Sequence, residues 1–197
     1  MPHTTRLLFI AGSVREGSFN KKLARLAWQI AEANGIPSTL ADLADYPMPL
    51  YDGDLEARDG APENAQKLKA LMRVHPGVFI ATPEYNASIT PLLKNTLDWI
   101  SRLRAENETP LQVYKTRVFA LASASPGGFG GMRSLLALRQ VLEIGLGALV
   151  LPDQVALPRA HDAFDEHDHL KDKGQQERLK GVIEKLARAA KVLHGEA

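Results

Sequence analysis

Cysteine is missing from all 197 residues of the chain. That absence removes disulfides, thiolate nucleophiles, iron–sulfur clusters and cysteine-ligated zinc together. Any redox chemistry here must therefore belong to a bound cofactor. An excess of one charge is missing too: 24 Lys+Arg face 23 Asp+Glu, a net charge of +1. Such a chain has no electrostatic footprint for nucleic acid or an anionic membrane, so neither is expected as a partner. It is also unlike an acidic electron carrier that docks on basic partners. No stretch approaches 18 consecutive apolar residues, and no membrane insertion is expected. The run after Met1-Pro2-His3-Thr4-Thr5-Arg6 spans only Leu7 to Ala11. It is too short for a secretory signal, and the cytoplasm is the expected compartment. Gly-x-Ser-x-Gly and His-Glu-x-x-His are absent, which leaves a hydrolase elbow and a zinc protease unsupported.

What is present is ordinary in amount and informative in order. With 45% apolar and 24% charged residues, the chain reads as one globular domain over 1–197. Short apolar runs alternate with helical patterns. Leu7–Ala11, Ser38–Leu43, Gly77–Ala81 and Val118–Ala122 read as strands. A fifth begins at Ala148–Leu151 and extends through Val155-Ala156-Leu157. Helical spacing follows Ser18, Glu63, Pro91 and the segment carrying Leu135, Leu138 and Leu142. The last helix runs from about Leu170 and is expected to bury Leu179, Val182, Ile183, Leu186 and Leu193. Residues 44–62 read as one long irregular stretch, and His75 before Pro76 as a surface turn. Continuous rather than alternating apolar strands are buried on both faces. The fold class is α/β: a doubly wound sandwich with a five-stranded parallel sheet and helices on both faces.

Ligands of such folds bind beyond the carboxyl ends of the strands. Three loops lie there. The first, Gly12-Ser13-Val14-Arg15-Glu16-Gly17-Ser18-Phe19-Asn20, opens a helix, whose free N–H groups and positive dipole end favour an anion. It is neither Gly-x-Gly-x-x-Gly nor a Walker loop, so a single terminal phosphate suits it better than a pyrophosphate. A plain serine-capped turn is the other reading. The second, Thr82 to Pro91, is stiffened by two prolines and offers Tyr85 and Asn86 to a planar heteroaromatic ring, unless Tyr85 is packed inside. The third, Ser123 to Gly131, allows close backbone approach or is simply a permissive connection. The run His161 to His169 holds many potential metal ligands but has no recognised spacing, and no metal is expected there.

Taken together, Gly12-Ser13-x-Arg15-x-Gly17-Ser18-x-Asn20, Pro83-Glu84-Tyr85-Asn86 and Leu93-Lys94-Asn95-x-x-Asp98-Trp99 resemble the NADPH-dependent FMN reductase family. This flavodoxin-like group includes chromate, quinone and azo-dye reductases. The resemblance covers roughly residues 5 to 185. Phe129-Gly130-Gly131-x-Arg133 with Leu138-Arg139-Gln140 is similar to the chromate/quinone branch. The resemblance implies that Ser13, Arg15, Ser18, Phe19 and Asn20 cradle the FMN phosphate. It implies that Pro83, Glu84, Tyr85 and Asn86 border the ring, mostly through backbone groups, and that Ser123 and the following glycines close its other side. It implies hydride transfer from NADPH, with NADH also open, to FMN. Electrons then go in ping-pong order to quinones, azo compounds, chromate-like oxyanions or free flavin. It further implies a homodimer or homotetramer, with Trp99, Arg102 and Arg133 as interface candidates. Arg15, Arg102, Arg104 and Arg117 are candidates to meet a 2′-phosphate. Two other readings stay open. One is a flavodoxin-like electron carrier or flavin-binding module without NAD(P)H turnover. The other is a quinone-binding interaction protein with an empty flavin site.

Overall fold

The computed structural model describes residues 5–194. The short apolar entry run lies within them, and its first four preceding residues lie outside. Each apolar run forms a strand: β1 Leu7–Ala11, β2 Ser38–Ala41, β3 Gly77–Ala81, β4 Val118–Ala124 and β5 Leu149–Leu157. All neighbouring pairs are parallel, in the order β2-β1-β3-β4-β5. The longer helices are α1 Phe19–Ala33, α2 Gly53–Asp59, α3 Glu63–Val74, α4 Pro91–Arg102, α6 Met132–Arg139 and α8 Lys173–Leu193, with short α5 Gln112–Lys115 and α7 Ala160–Ala163. The expected five-stranded parallel sandwich, flavodoxin-like in strand order, is what forms.

Strand alternation splits the core in two. Leu7 and Phe9 of β1 and Phe79 of β3 point toward α1 and α8, while Leu8, Ile10, Val78 and Ile80 point toward α3, α4 and α6. The β4 face under α1 and α8 is small: Val118, Ala120, Ala122 and Ala124. Its other face carries Phe119 and Leu121. Every one of these side chains is at least 94% buried, which is why the runs show no polar alternation.

Several boundaries differ from expectation for local reasons. β2 stops at Ala41 because the Asp42 side chain accepts from the Ala44 amide and starts a 3-10 turn at Leu43–Asp45. The stretch 44–62 is not wholly irregular, since Asp52 accepts from the Asp54 and Leu55 amides and caps α2. α8 begins at Lys173, capped by Asp172, and Leu170 pairs with Phe164 in a short bridge instead. Leu193 is 45% exposed rather than buried, because Ala190 is the last residue of α8 to reach the core. His75 is buried, not a surface turn: its Nδ1 meets the Leu71 carbonyl at 2.6 Å and its Nε2 the Thr39 hydroxyl at 2.9 Å. α6 continues into a π-helical turn, Gln140–Gly145. β5 carries an irregularity where Phe119 pairs with Val150 but Leu121 with Gln154. Arg139 fills it, donating to the Leu151 and Pro152 carbonyls.

Candidate functional site

The three loops leave β1, β3 and β4 at one end of the sheet and are tied into a ring by buried side chains. Thr90 Oγ1 donates to the Gly12 carbonyl at 2.7 Å, joining the second loop to the first. Ser123 Oγ donates to the Thr82 carbonyl at 2.7 Å, joining β4 to the second loop. Asn20 Nδ2 donates to the Ala124 carbonyl at 2.8 Å, and the Ala124 amide donates back to Asn20 Oδ1 at 2.9 Å. That closes the ring between the first and third loops. Each bond satisfies backbone groups that no ladder reaches, and leaving such a group unpaired costs about 1–3 kcal/mol.

Inside the ring is a cavity of about 150 Å³. Ser13, Arg15, Ser18, Phe19, Asn20, Pro83, Glu84 and Tyr85 line it, so eight of the ten sequence-selected residues come together. Asn86 and Ser123 do not line it. β4 runs two residues further than its apolar pattern suggested. Ser123 therefore lies inside the strand, fully buried, with its hydroxyl turned to Thr82. Asn20 lines the cavity, and both ends of its amide are bonded to Ala124, which ties the first loop to the third. Ala124, Ser125 and Pro126 of the third loop segment, Ser123 to Gly131, also line the cavity.

The chemistry of the wall is set at α1. Its N-cap residue Ser18 makes no side-chain cap bond, and its first turn has no acidic residue. By contrast, α4 is capped by Thr90 and α8 by Asp172. The positive end of α1 therefore has neither a side-chain cap nor a first-turn carboxylate of its own. Ser13 and Ser18 are nearly buried beside it, and Arg15 is exposed at its lip. An anionic phosphate fits these donors. At the opposite lip, Tyr85 to Ser88 form a tight turn with reciprocal backbone bonds of 2.9 and 3.0 Å. Asn86 and Ala87 both take positive φ, 49° and 65°, as a type I′ turn requires. The turn holds the Tyr85 ring 55% exposed. Across the mouth, Gly131 sits at φ 82°, where a Cβ would lie 1.8 Å from the Ser123 hydroxyl. Only glycine brings the third loop this close to β4. The loops together offer phosphate donors at one side and a flat, open mouth at the other.

Other candidates fall elsewhere. Trp99 is fully buried, its Nε1 donating to the Pro49 carbonyl at 2.7 Å under the Tyr51 ring. Arg102 pairs with Glu56. Trp99 is therefore closed to a partner by the chain's own 49–51 segment. Arg133 is exposed beside the mouth and pairs with Glu84. Of the arginines weighed for a 2′-phosphate, Arg104 donates to the Glu108 carbonyl and Arg117 is buried, both at the far end of the sheet. In the His161–His169 run, Asp165 accepts from the His167 and His169 amides. No cluster of three metal-ligating side chains occurs among the described residues. Among them, no helix is long and apolar enough to cross a membrane.

A family profile described as NADPH-dependent FMN reductase matches residues 5–162. The chain is 36% identical over 199 residues to a probable NADPH:quinone oxidoreductase of Oryza sativa subsp. japonica, covering 99% of this chain and 93% of that one. It is 37% identical over 151 residues to the quinone reductase of Escherichia coli K12, covering 77% and 76%. Among solved structures, it resembles the flavoenzyme NAD(P)H:(acceptor) oxidoreductase FerB of Paracoccus denitrificans. The TM-score is 0.78 at 25% identity, with 95% of this chain and 97% of that one covered.

Proposed function

The chain belongs to the NADPH-dependent FMN reductase family, and from that premise we propose that it is an NAD(P)H-dependent quinone reductase working in ping-pong order over one domain, 1–197. The observation that carries the site is the uncapped start of α1 inside the hydrogen-bonded ring of loops. When bound, FMN supplies the redox chemistry that this cysteine-free chain has no side chain to perform.

The residues divide the work. Ser13, Arg15, Ser18 and the first amides of α1 would hold the phosphate. Phe19 backs them, stacked on Phe164 with centroids 6.4 Å apart. Asn20 and Ser123 keep the loops in register. Pro83, Glu84, Tyr85 and Asn86 would border the ring, through backbone groups and the exposed Tyr85 face. The mouth imposes few limits of shape, which supports a broad acceptor range: quinones, azo compounds, chromate-like oxyanions and free flavin. NADPH is the donor in this reading, with NADH as a second donor, and the cytoplasm is its compartment.

Self-association is part of the same proposal. Phe129, Met132, Leu136 and Ile144 leave an apolar stripe along the outer side of α6 and its π turn, with exposures of 74, 38, 59 and 82%. A second copy is the occupant that would cover it. A single-chain mass by light scattering overturns this part.

The deciding experiment is an anaerobic visible spectrum of the protein with FMN, then with NADPH, then with benzoquinone. The expected result is a bound-flavin spectrum that bleaches with NADPH and returns with the quinone. Bound flavin that neither NADPH nor NADH bleaches favours the electron-carrier reading. No bound flavin at all refutes the site.

A further inference from the structure

Glu84 belongs to the second loop, yet its carboxylate is spent elsewhere. The side chain is only 8% exposed. It accepts from the backbone amide of Arg133 at 3.2 Å and pairs with the Arg133 guanidinium. Arg133 is the second residue of α6, whose N-cap is Gly131. Glycine has no side chain to cap with, and the first turn of α6 has no acidic residue. A carboxylate placed there satisfies a free amide and meets the positive end of the helix. Glu84 thus supplies, from 49 residues away, the cap that the sequence of α6 lacks.

The consequence lies upstream of α6. Gly127 to Gly131 lead from β4 into that helix, tied at one end to Ser125 and Arg159 and at the other to Ser134 and Leu135 of α6. The Gly130 amide donates to the Gly127 carbonyl at 3.2 Å, and the Met132 amide to the Phe129 carbonyl at 3.0 Å. The Arg133 guanidinium also stands 5.8 Å over the Phe129 ring. Glu84, Arg133 and Phe129 therefore form one continuous chain of contacts from the second loop across to the third. We propose that Glu84 is a positioning residue that caps α6 from another loop and thereby fixes the 127–131 turn at the mouth. It acts on the flavin site through that turn, not through its charge. This inference rests on the flavin-site reading, but its cap does not.

Two measurements separate the two. Amide hydrogen exchange of the full chain without added FMN reads the cap directly. Glu84→Ala is expected to speed exchange in peptides over 130–137 by about fivefold or more, the scale of losing one helix cap. Glu84→Gln, which keeps an acceptor oxygen, is expected to restore most of the protection. Arg133→Ala, which keeps the backbone amide, is expected to change exchange there less than Glu84→Ala does. FMN titration then reads the positioning. Glu84→Ala should weaken FMN binding by about the same factor, with Glu84→Gln near wild type. Unchanged exchange in Glu84→Ala overturns the cap, whatever the flavin does. Faster exchange with unchanged FMN affinity overturns the positioning role. A wild-type chain that binds no FMN overturns the flavin-site reading, and the positioning role with it. The exchange data still decide the cap.

Discussion

The two ends of the sheet both carry a hollow lined with arginine, and they are chemically opposite. At the amino ends of β3 and β4 a cavity of about 650 Å³ is bordered by Arg73, Glu108, Thr116, Arg117 and His194. At the carboxyl ends the cavity is only about 150 Å³. In the larger hollow the cations are spent. Arg117 donates to the Met72, Arg73 and Thr116 carbonyls at 2.6 to 2.9 Å. Glu108 pairs with Lys69 and Arg73, and His194 meets the Thr116 carbonyl. In the smaller hollow the start of α1 is left open: it has no side-chain cap bond and no acidic residue in its first turn. Size and positive charge do not mark a site. What distinguishes the smaller hollow is a helix start without a side-chain cap.

The comparison can be broken by removing one arginine from each end. Arg117→Ala is expected to have the largest effect on stability. Three carbonyls lose their donor around a residue only 8% exposed, a loss of about 3 kcal/mol on unfolding. FMN affinity should stay within about twofold, since the site lies across the sheet. Denaturant melts and flavin titrations read the two quantities. Arg15→Ala is expected to do the reverse. It should weaken FMN binding by about tenfold, the scale of one exposed charge-assisted contact, and leave the melt of the flavin-free protein unchanged. Unchanged flavin occupancy in that variant removes Arg15 from the phosphate site.

A smaller effect sharpens the contrast further. Burial between Leu71 and Thr39 holds the His75 pKa below its ordinary 6.5, with Arg6 and Arg117 adding repulsion against the bond to the Leu71 carbonyl. The neutral form is the one the fold favours. Its contribution is fully present above pH 6.5 and is lost as pH falls through the lower value it has in the fold. Melting temperature should therefore drop between pH 7.5 and 5.5 more steeply in the wild type than in His75→Gln. Parallel pH profiles would remove His75 as the cause.

The sequence reading captured what local pattern encodes and missed what distance encodes. β3 was legible to the residue because Pro76 and Thr82-Pro83 bracket an unbroken apolar run. The five-stranded sheet followed from such runs alone. β4 was read two residues short, because Ser123 looks like the start of a loop. Its place in the strand depends on pairing with Ala156 of β5, a partner distant in sequence. The bonds of Asn20 are invisible locally for the same reason. Its acceptor and donor belong to Ala124, 104 residues along the chain. His75 beside a proline carries the local signature of a turn, and only Thr39 across the fold makes it a buried group. The short helix α2 was readable in hindsight from Asp52, a capping residue set in a proline-rich stretch.

The ring of Thr90, Ser123 and Asn20 has a bearing on redesign. Those three side chains define a frame, each donating to a backbone carbonyl of a neighbouring segment. Tyr85, Ser125 and Phe129 sit on that frame and point outward or into the opening. On the proposed function, acceptor range is expected to change with substitutions at Tyr85 and Ser125 while the first set is left alone. A library confined to those outward positions would keep nearly every member folded, and the diversity it carried would be spent on chemistry.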